Sequence, residues 1–151
     1  MHDISFRLLD SEEEIIRYIL SISESLFNQR YNDESFLKRI CHKYYFYGNV
    51  ICLFEDNIDP IGVCAYYTND MINYTGFISL IAVDNKYQRM GYGKQLLREV
   101  IKRNQEAGMK ELRLEVDSRN KAAIDFYRRN GFVFCGNSKD GFFYSLQLEK
   151  Q

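Results

Sequence analysis

QRMGYGKQLL, residues 88–97, sets two glycines, Gly91 and Gly93, immediately before an apolar pattern of helical spacing: Leu96, Leu97, Val100, Ile101 and Ala107. Just upstream, NYTGFISLIAV (73–83) is almost entirely apolar, as expected of a strand buried on both faces. The segment is therefore a strand-to-helix turn. There the first main-chain N–H groups of the helix are unpaired and the helix dipole is positive, which makes an anion site suited to phosphate. Glycine at 91 and 93 lets a diphosphate approach the backbone, and Arg89 and Lys94 add charge at the rim. Two familiar phosphate loops fail. A P-loop on Gly93-Lys94 requires glycine at 88 and Ser or Thr at 95, where the chain has Gln88 and Gln95; a dinucleotide fingerprint from Gly91 requires a small residue where Leu96 stands. On the turn alone, glycines chosen only for their backbone angles remain an equal reading.

Outward from the turn, the pattern predicts one α/β domain over residues 1–151. ISFRLL (4–9) alternates like a strand, and SEEE (11–14) is a capping box opening a helix through Ile15, Ile16, Ile19, Leu20 and Leu26. Asn32 or Asp33 caps a second helix carrying Phe36, Leu37, Ile40 and Tyr44. VICLFED (50–56) and IGVCAYYT (61–68) read as a hairpin turning around Asn57 to Pro60. Beyond the 93–107 helix and its closing Gly108, ELRLEV (111–116) alternates as a strand and NKAAIDFYRRN (120–130) is a helix stopped by Gly131. FVFC (132–135) and FFYSLQLEK (142–150) complete a mixed sheet with a strand–helix–strand unit at its centre.

Composition excludes several function classes. Lys+Arg (20) balance Asp+Glu (21), so no broad basic surface gathers nucleic acid or anionic lipid. The chain has no basic segment followed by an apolar run at its start, and nothing near the roughly 18 apolar residues of a membrane span. A soluble cytoplasmic protein is expected. Cys41, Cys52, Cys64 and Cys135 are scattered among apolar neighbours and read as small buried hydrophobes rather than a disulfide or metal framework; His2 and His42 add no ligand cluster. No metal is expected. Oligomeric state is left open, a homodimer included.

The pattern V-D-x-x-x-Q-x-x-G-x-G at 83–93, followed by N-x-x-A-I-x-F-Y-x-x-x-G-F at 120–132, strongly resembles the GNAT superfamily of acetyl-CoA-dependent N-acetyltransferases. The resemblance covers residues 73–135 in motif detail, and its two motifs stand in the right order. It implies a mixed, mostly antiparallel sheet of about seven strands with about four helices and splayed central strands, with acetyl-CoA as cosubstrate. By that resemblance Gln88 and the main chain of Arg89, Met90, Gly91, Tyr92, Gly93 and Lys94 hold the pyrophosphate. The backbone of Ile81, Ala82 and Val83 pairs with the pantetheine arm, and Asn120, Ala123, Phe126 and Tyr127 form the second cofactor segment.

Acetyl transfer requires a neutral amine, a donor for the developing oxyanion and a proton for the departing thiolate. The resemblance gives the last task to Tyr127. Asn120 and Tyr127 are seven residues apart, nearly two helical turns, so they share a face. A tyrosine that merely packs is the alternative. The resemblance makes the N–H of Val83 the oxyanion donor. Glu115 is the candidate base: in ELRLEV, Arg113, Glu115 and Asp117 oppose Leu112, Leu114 and Val116, and a charged face on a central strand must meet solvent or a cleft. It matches the glutamate of the branch that acetylates ribosomal-protein N-termini, whereas the histone-type position reads Phe77. A solvated or ion-paired Glu115, with water relaying the proton, stays open. The acceptor pocket is expected from LFNQRYNDE (26–34) with Tyr66, Tyr67 and Tyr74, while Tyr44, Tyr45 and Tyr47 are expected to pack. The acceptor is a primary amine: a small molecule, an amino sugar or a peptide N-terminus. A non-catalytic acyl-CoA sensor is the competing reading.

Overall fold

Seven strands share one sheet: β1 (Ile4–Leu8), β2 (Asn49–Glu55), β3 (Asp59–Tyr67), β4 (Thr75–Val83), β5 (Glu111–Asp117), β6 (Val133–Asn137) and β7 (Gly141–Gln147), in spatial order β1-β2-β3-β4-β5-β7-β6. The computed structural model describes residues 3–56 and 59–148. Helices α1 (Glu12–Ser21), α2 (Glu34–Tyr47), α3 (Tyr92–Glu106) and α4 (Lys121–Arg129) pack on the sheet. Every neighbouring pair is antiparallel except β4–β5, which is parallel because α3 carries the chain back across one face.

Local chemistry sets the helix ends. The Ser11 hydroxyl accepts from Glu14 N at 3.1 Å, and the Asp33 carboxylate from Phe36 N at 3.1 Å, so Asp33 rather than Asn32 caps α2. Gly108 (φ 86°) and Gly131 (φ 93°) end α3 and α4 in the left-handed region. The first helix is shorter than its periodicity predicts. It stops at Ser21, and Leu26 is buried from the following loop instead. Pro60 lies inside β3, beside the slip in register with β2, rather than in the turn. Residues 73–74 precede β4 as loop, with Tyr74 at φ 54°. Asn57, His2 and the last residues of the predicted final strand lie outside the described residues.

Each face of the sheet has its own core. On one, α1 and α2 cover β2 to β4 through Ile15, Ile19, Leu37, Tyr44, Cys52, Val63 and Leu80; on the other, α3 and α4 cover the centre through Leu96, Leu97, Val100, Tyr127, Leu112 and Leu114. The α1–α2 core stops at β4. On that face β5 and β7 carry Arg113, Glu115 and Phe143, none of them buried. The prediction that β4 is buried on both faces is therefore corrected: Thr75, Phe77 and Ser79 are half-buried at the margin of the α1–α2 layer, where the Tyr44 hydroxyl of α2 meets Ser79.

Cys41, Cys52 and Cys64 are buried and free, but Cys135 is exposed, because it sits on the edge strand β6. Burial pushes the thiols of Cys41 and Cys52 from an ordinary 9.0 up to about 12. Folding thus favours their protonated form. That stability is complete below pH 9 and is lost as the unfolded thiols ionise at higher pH. The melting temperature is expected to fall steadily above pH 9, and less steeply in a Cys41→Ala/Cys52→Ala variant. Parallel slopes for the two proteins in calorimetry would refute this account.

Candidate active site

The centre of the sheet is split. β4 and β5 pair only from Thr75↔Glu111 to Ile78↔Leu114; beyond that, Ser79–Val83 of β4 and Glu115–Asp117 of β5 have no partner across the gap. β4 continues with β3 through Ile81↔Cys64 and Val83↔Gly62, while β5 follows β7. An extended chain entering this gap would find a free strand edge on β4 from Ile81, Ala82 and Val83.

The glycine turn lies at the open end of β4. Three of the four helices begin with a side-chain cap, from Ser11, Asp33 and Asn120; α3 begins at Gly91 with none and has no acidic residue in its first turn. The first-turn amides of Tyr92, Gly93 and Lys94 are left to an external anion. Gly91 stands at φ 86° with open space where a Cβ would point, so backbone geometry demands it. Gly93 is different: a Cβ there meets the Phe126 ring at 3.6 Å and Val83 Cγ2 at 3.8 Å, both ordinary contacts. Arg89 holds a left-handed φ of 66°, and Arg89, Met90 and Lys94 are exposed around the turn. Gln88 faces inward. Its Nε2 donates to Val83 O and to Asn85 Oδ1, both at 3.0 Å, tying the turn to the end of β4. The Tyr92 hydroxyl donates to Glu55 at 2.9 Å, so this side chain anchors α3 to β2 and contributes only its amide to the turn.

From α4, Ala123, Phe126 and Tyr127 face the same core as Val83. Asn120 is the helix cap, its Oδ1 accepting from Ala123 N at 3.3 Å. Tyr127 is buried beside Phe126 and Phe132, with ring centroids at 5.5 and 5.6 Å. Burial pushes its phenol well above the ordinary tyrosine range, so the hydroxyl keeps its proton at neutral pH. Glu115 projects from the opposite face of β5 and is exposed. Tyr127 and Glu115 thus lie on opposite faces of the sheet.

Next to Glu115 on its face is a cleft of about 470 Å³ lined by Tyr67, Asn69, Asp70, Thr75, Phe77, Arg113 and Phe143. Arg113 stacks over Phe143 at 5.5 Å. Of the tyrosines expected here, Tyr67 lines the cleft, Tyr66 is buried on the other face, and Tyr74 lies under Lys110 at 5.3 Å. Tyr44 packs as expected, but Tyr45 and Tyr47 are exposed. The α1–α2 loop reaches both arms of the split: Ser25 Oγ accepts from Asn85 N at 3.0 Å, and Arg119 lies 5.8 Å from the Phe27 ring.

Sequence reasoning missed a buried hydroxyl chain. Tyr31 and Tyr44 share a hydrogen bond at 2.8 Å, and Tyr44 and Ser79 another at 2.7 Å. Tyr44 read as a packing position on a helix and Tyr31 as part of the loop at 26–34, and no spacing rule links residues 31, 44 and 79.

The model of the Acetyltransferase (GNAT) family matches residues 14–132. The chain belongs to this family. N-alpha-acetyltransferase 30 of Xenopus laevis is 35% identical over 71 residues, which is 47% of this chain and 26% of that protein. The [Ribosomal protein bS18]-alanine N-acetyltransferase of Escherichia coli is 46% identical over 52 residues, 34% of this chain and 35% of that protein. The chain therefore matches well under half the length of either relative. The PaiA N-acetyltransferase of Thermoplasma acidophilum, solved in complex with coenzyme A, superposes with a TM-score of 0.71 over 95% of this chain and 99% of that one, at 18% identity. That likeness shows the shared fold.

Proposed function

We propose that this GNAT protein, read as one N-acetyltransferase domain over residues 1–151, transfers an acetyl group from acetyl-CoA to a primary amine by direct attack. The observation that carries the reading is the uncapped N-terminus of α3 at the mouth of the β4–β5 split. Acetyl-CoA, as cosubstrate, supplies the activated acyl group. The amides from Arg89 to Lys94 hold its pyrophosphate, Gln88 shapes the turn, and the free edge of Ile81–Val83 pairs with the pantetheine arm. Ala123, Phe126 and the Asn120 amide nitrogen complete that side. The Val83 N–H stabilises the developing oxyanion, the Tyr127 hydroxyl gives its proton to the leaving sulfur, and Glu115 takes the proton of the amine, directly or through water. Among the described residues no group of three or more His, Cys, Asp or Glu is arranged to hold a metal, and no helix is long and apolar enough to cross a membrane.

For the acceptor, the two named relatives favour a peptide N-terminus over an amino sugar or other small amine. A pure acyl-CoA sensor has no use for a buried phenol whose hydroxyl has no hydrogen-bond partner among the described residues.

Coenzyme A is expected to raise the melting temperature and to protect residues 88–94 from hydrogen exchange. Loss of both effects would sink the reading. Release of thiol with a panel of amines then separates enzyme from sensor. Gly91→Asp is expected to bind coenzyme A about tenfold more weakly than Gly91→Asn, a difference of ~1.4 kcal/mol. Both side chains tolerate a left-handed φ, so only the carboxylate beside the pyrophosphate distinguishes them; equal dissociation constants would place the pyrophosphate elsewhere. Gly93→Ala is expected to bind normally and to gain up to about 1 kcal/mol of helix stability. A lower melting temperature for that variant would contradict the open contact seen at Gly93.

A further inference from the structure

The two ends of β4 are built differently. The glycine turn follows its C-terminal end, at the open side of the split, so a pantetheine arm enters there. The cleft lies on the face away from α3 and α4, along Thr75 and Phe77, where β4 and β5 are still paired. An acceptor lying in it runs back from the split towards the start of β4, about 10 Å for the three residues from Ile78 to Thr75. It leaves the sheet at the β3–β4 loop, residues 68–74, whose Asn69 and Asp70 line the cleft.

Directly after those two residues come Met71 and Ile72, 61% and 88% exposed; no other large apolar side chain among the described residues is as exposed as Ile72. The loop that presents them is pinned. Asp70 Oδ1 accepts from the amides of Ile72 at 3.1 Å and Asn73 at 2.9 Å. Tyr74 N donates to Asp70 O at 3.0 Å, and Lys110 N donates to Tyr74 O at 2.7 Å. Tyr74 itself is held at φ 54°, a left-handed angle unfavourable for a bulky residue. Strained backbone and two apolar side chains in water both weigh against folding, and neither contributes to the core. Single apolar residues scattered over a surface require no explanation. A consecutive pair on a pinned, strained tip beside a binding cleft does.

We infer that the Met71–Ile72 tip docks the acceptor chain, and that the acceptor is a polypeptide N-terminus with apolar side chains at about its fourth to sixth residues. The first three residues fill the length of the cleft, and the next ones meet the tip. A free amino acid or an amino sugar ends inside the cleft and never reaches it. Charge along the path suits an incoming ammonium group. Glu115 stands at the inner end and Asp70 at the outer, its carboxyl held below the ordinary range by the amides of Asn73 and Ile72. The Arg113 guanidinium is drawn aside, its Nη2 donating to Cys135 Sγ on β6 at 3.3 Å. This rests on the acetyl-transfer reading for the position of the amine, and deepens it by specifying the acceptor.

The test measures binding rather than turnover. Two decapeptides, identical except for leucine or serine at the fourth to sixth residues, carry a fluorophore at the C-terminus. Their anisotropy is followed on titration with the full chain saturated with coenzyme A. The leucine peptide is expected to bind about tenfold more tightly, the effect of partly burying two large apolar side chains. Met71→Ser/Ile72→Ser changes two exposed side chains and none of the hydrogen bonds that pin the loop. It should abolish that ratio while the serine peptide and coenzyme A bind within about twofold of their native affinities. Equal binding of the two peptides by the native protein overturns the inference, as does binding of neither, or a preference that survives in the variant. A native dimer, or binding to phosphatidylcholine vesicles, that is lost in the variant assigns the tip to a second copy or a lipid surface and also overturns it. Failure of coenzyme A itself to bind is a different result: it refutes the acetyl-transfer reading, and the inference with it.

Discussion

Tyr127→Phe is expected to lower kcat about 100-fold, the lower end of what a positioned proton donor contributes, while coenzyme A binds within about twofold of the native value. The separation of the two effects follows from packing. The ring sits edge-on against Phe126 and Phe132, and a phenylalanine keeps both contacts. Its hydroxyl has no protein partner among the described residues, so removing it orphans nothing and stability is preserved. What disappears is a proton that burial keeps on the phenol at neutral pH. Single-turnover rates of thiol release, read beside coenzyme A titrations, check this. An unchanged chemical step would remove Tyr127 from the mechanism; a matched fall in cofactor affinity would make it a binding residue. Glu115→Gln supplies the complementary test, because a carboxylate base must appear in the acidic limb of the pH–rate profile. If that limb is unmoved, water carries the proton.

Gly141→Ala is expected to cost about 3 kcal/mol, at the upper end of typical overpacking, and to lower the melting temperature by about 6–12 °C for a chain of this size. A Cβ at Gly141 would overlap the carbonyl oxygen of Val116 and lie 2.9 Å from the Asp117 Cα. Both obstacles are backbone, so no side chain can rotate away. Gly141 faces Asp117 in the β5–β7 register, and the two strands would have to part at the arm of the split that carries Glu115 and leads to Asn120. Hydrogen-exchange protection should fall first at Val116 and Asp117. Gly136→Ala is the control, since a Cβ there meets nothing within 4 Å. A melting temperature for Gly141→Ala within about 2 °C of that control would show that β7 shifts freely.

Much of the fold was legible because its signals are local. Ser11, Asp33 and Asn120 cap helices from within three residues, and Gly108 and Gly131 close them with left-handed backbones. The charged face of ELRLEV was correctly assigned to an open surface, because alternation along a strand has a period of two whatever lies opposite. Cys135 and Leu26 were misread for the complementary reason: apolar neighbours in sequence do not show whether a residue lies on a sheet edge or beyond a helix end.

The sequence by itself determined that a glycine-led turn follows a strand, and that its spacing to NKAAIDFY is that of an acetyltransferase. Backbone angles, caps and motif spacing are properties of a few consecutive residues. Only the tertiary structure decided that β4 and β5 part after Ile78, that α3 alone begins without a side-chain cap beside that gap, and that Tyr127 and Glu115 lie on opposite faces of the sheet. It also decided that three hydroxyls from residues 31, 44 and 79 meet in the core. Each of these depends on which distant segments pair and which faces they cover, and that is settled by burial of the whole sheet rather than by any stretch along it.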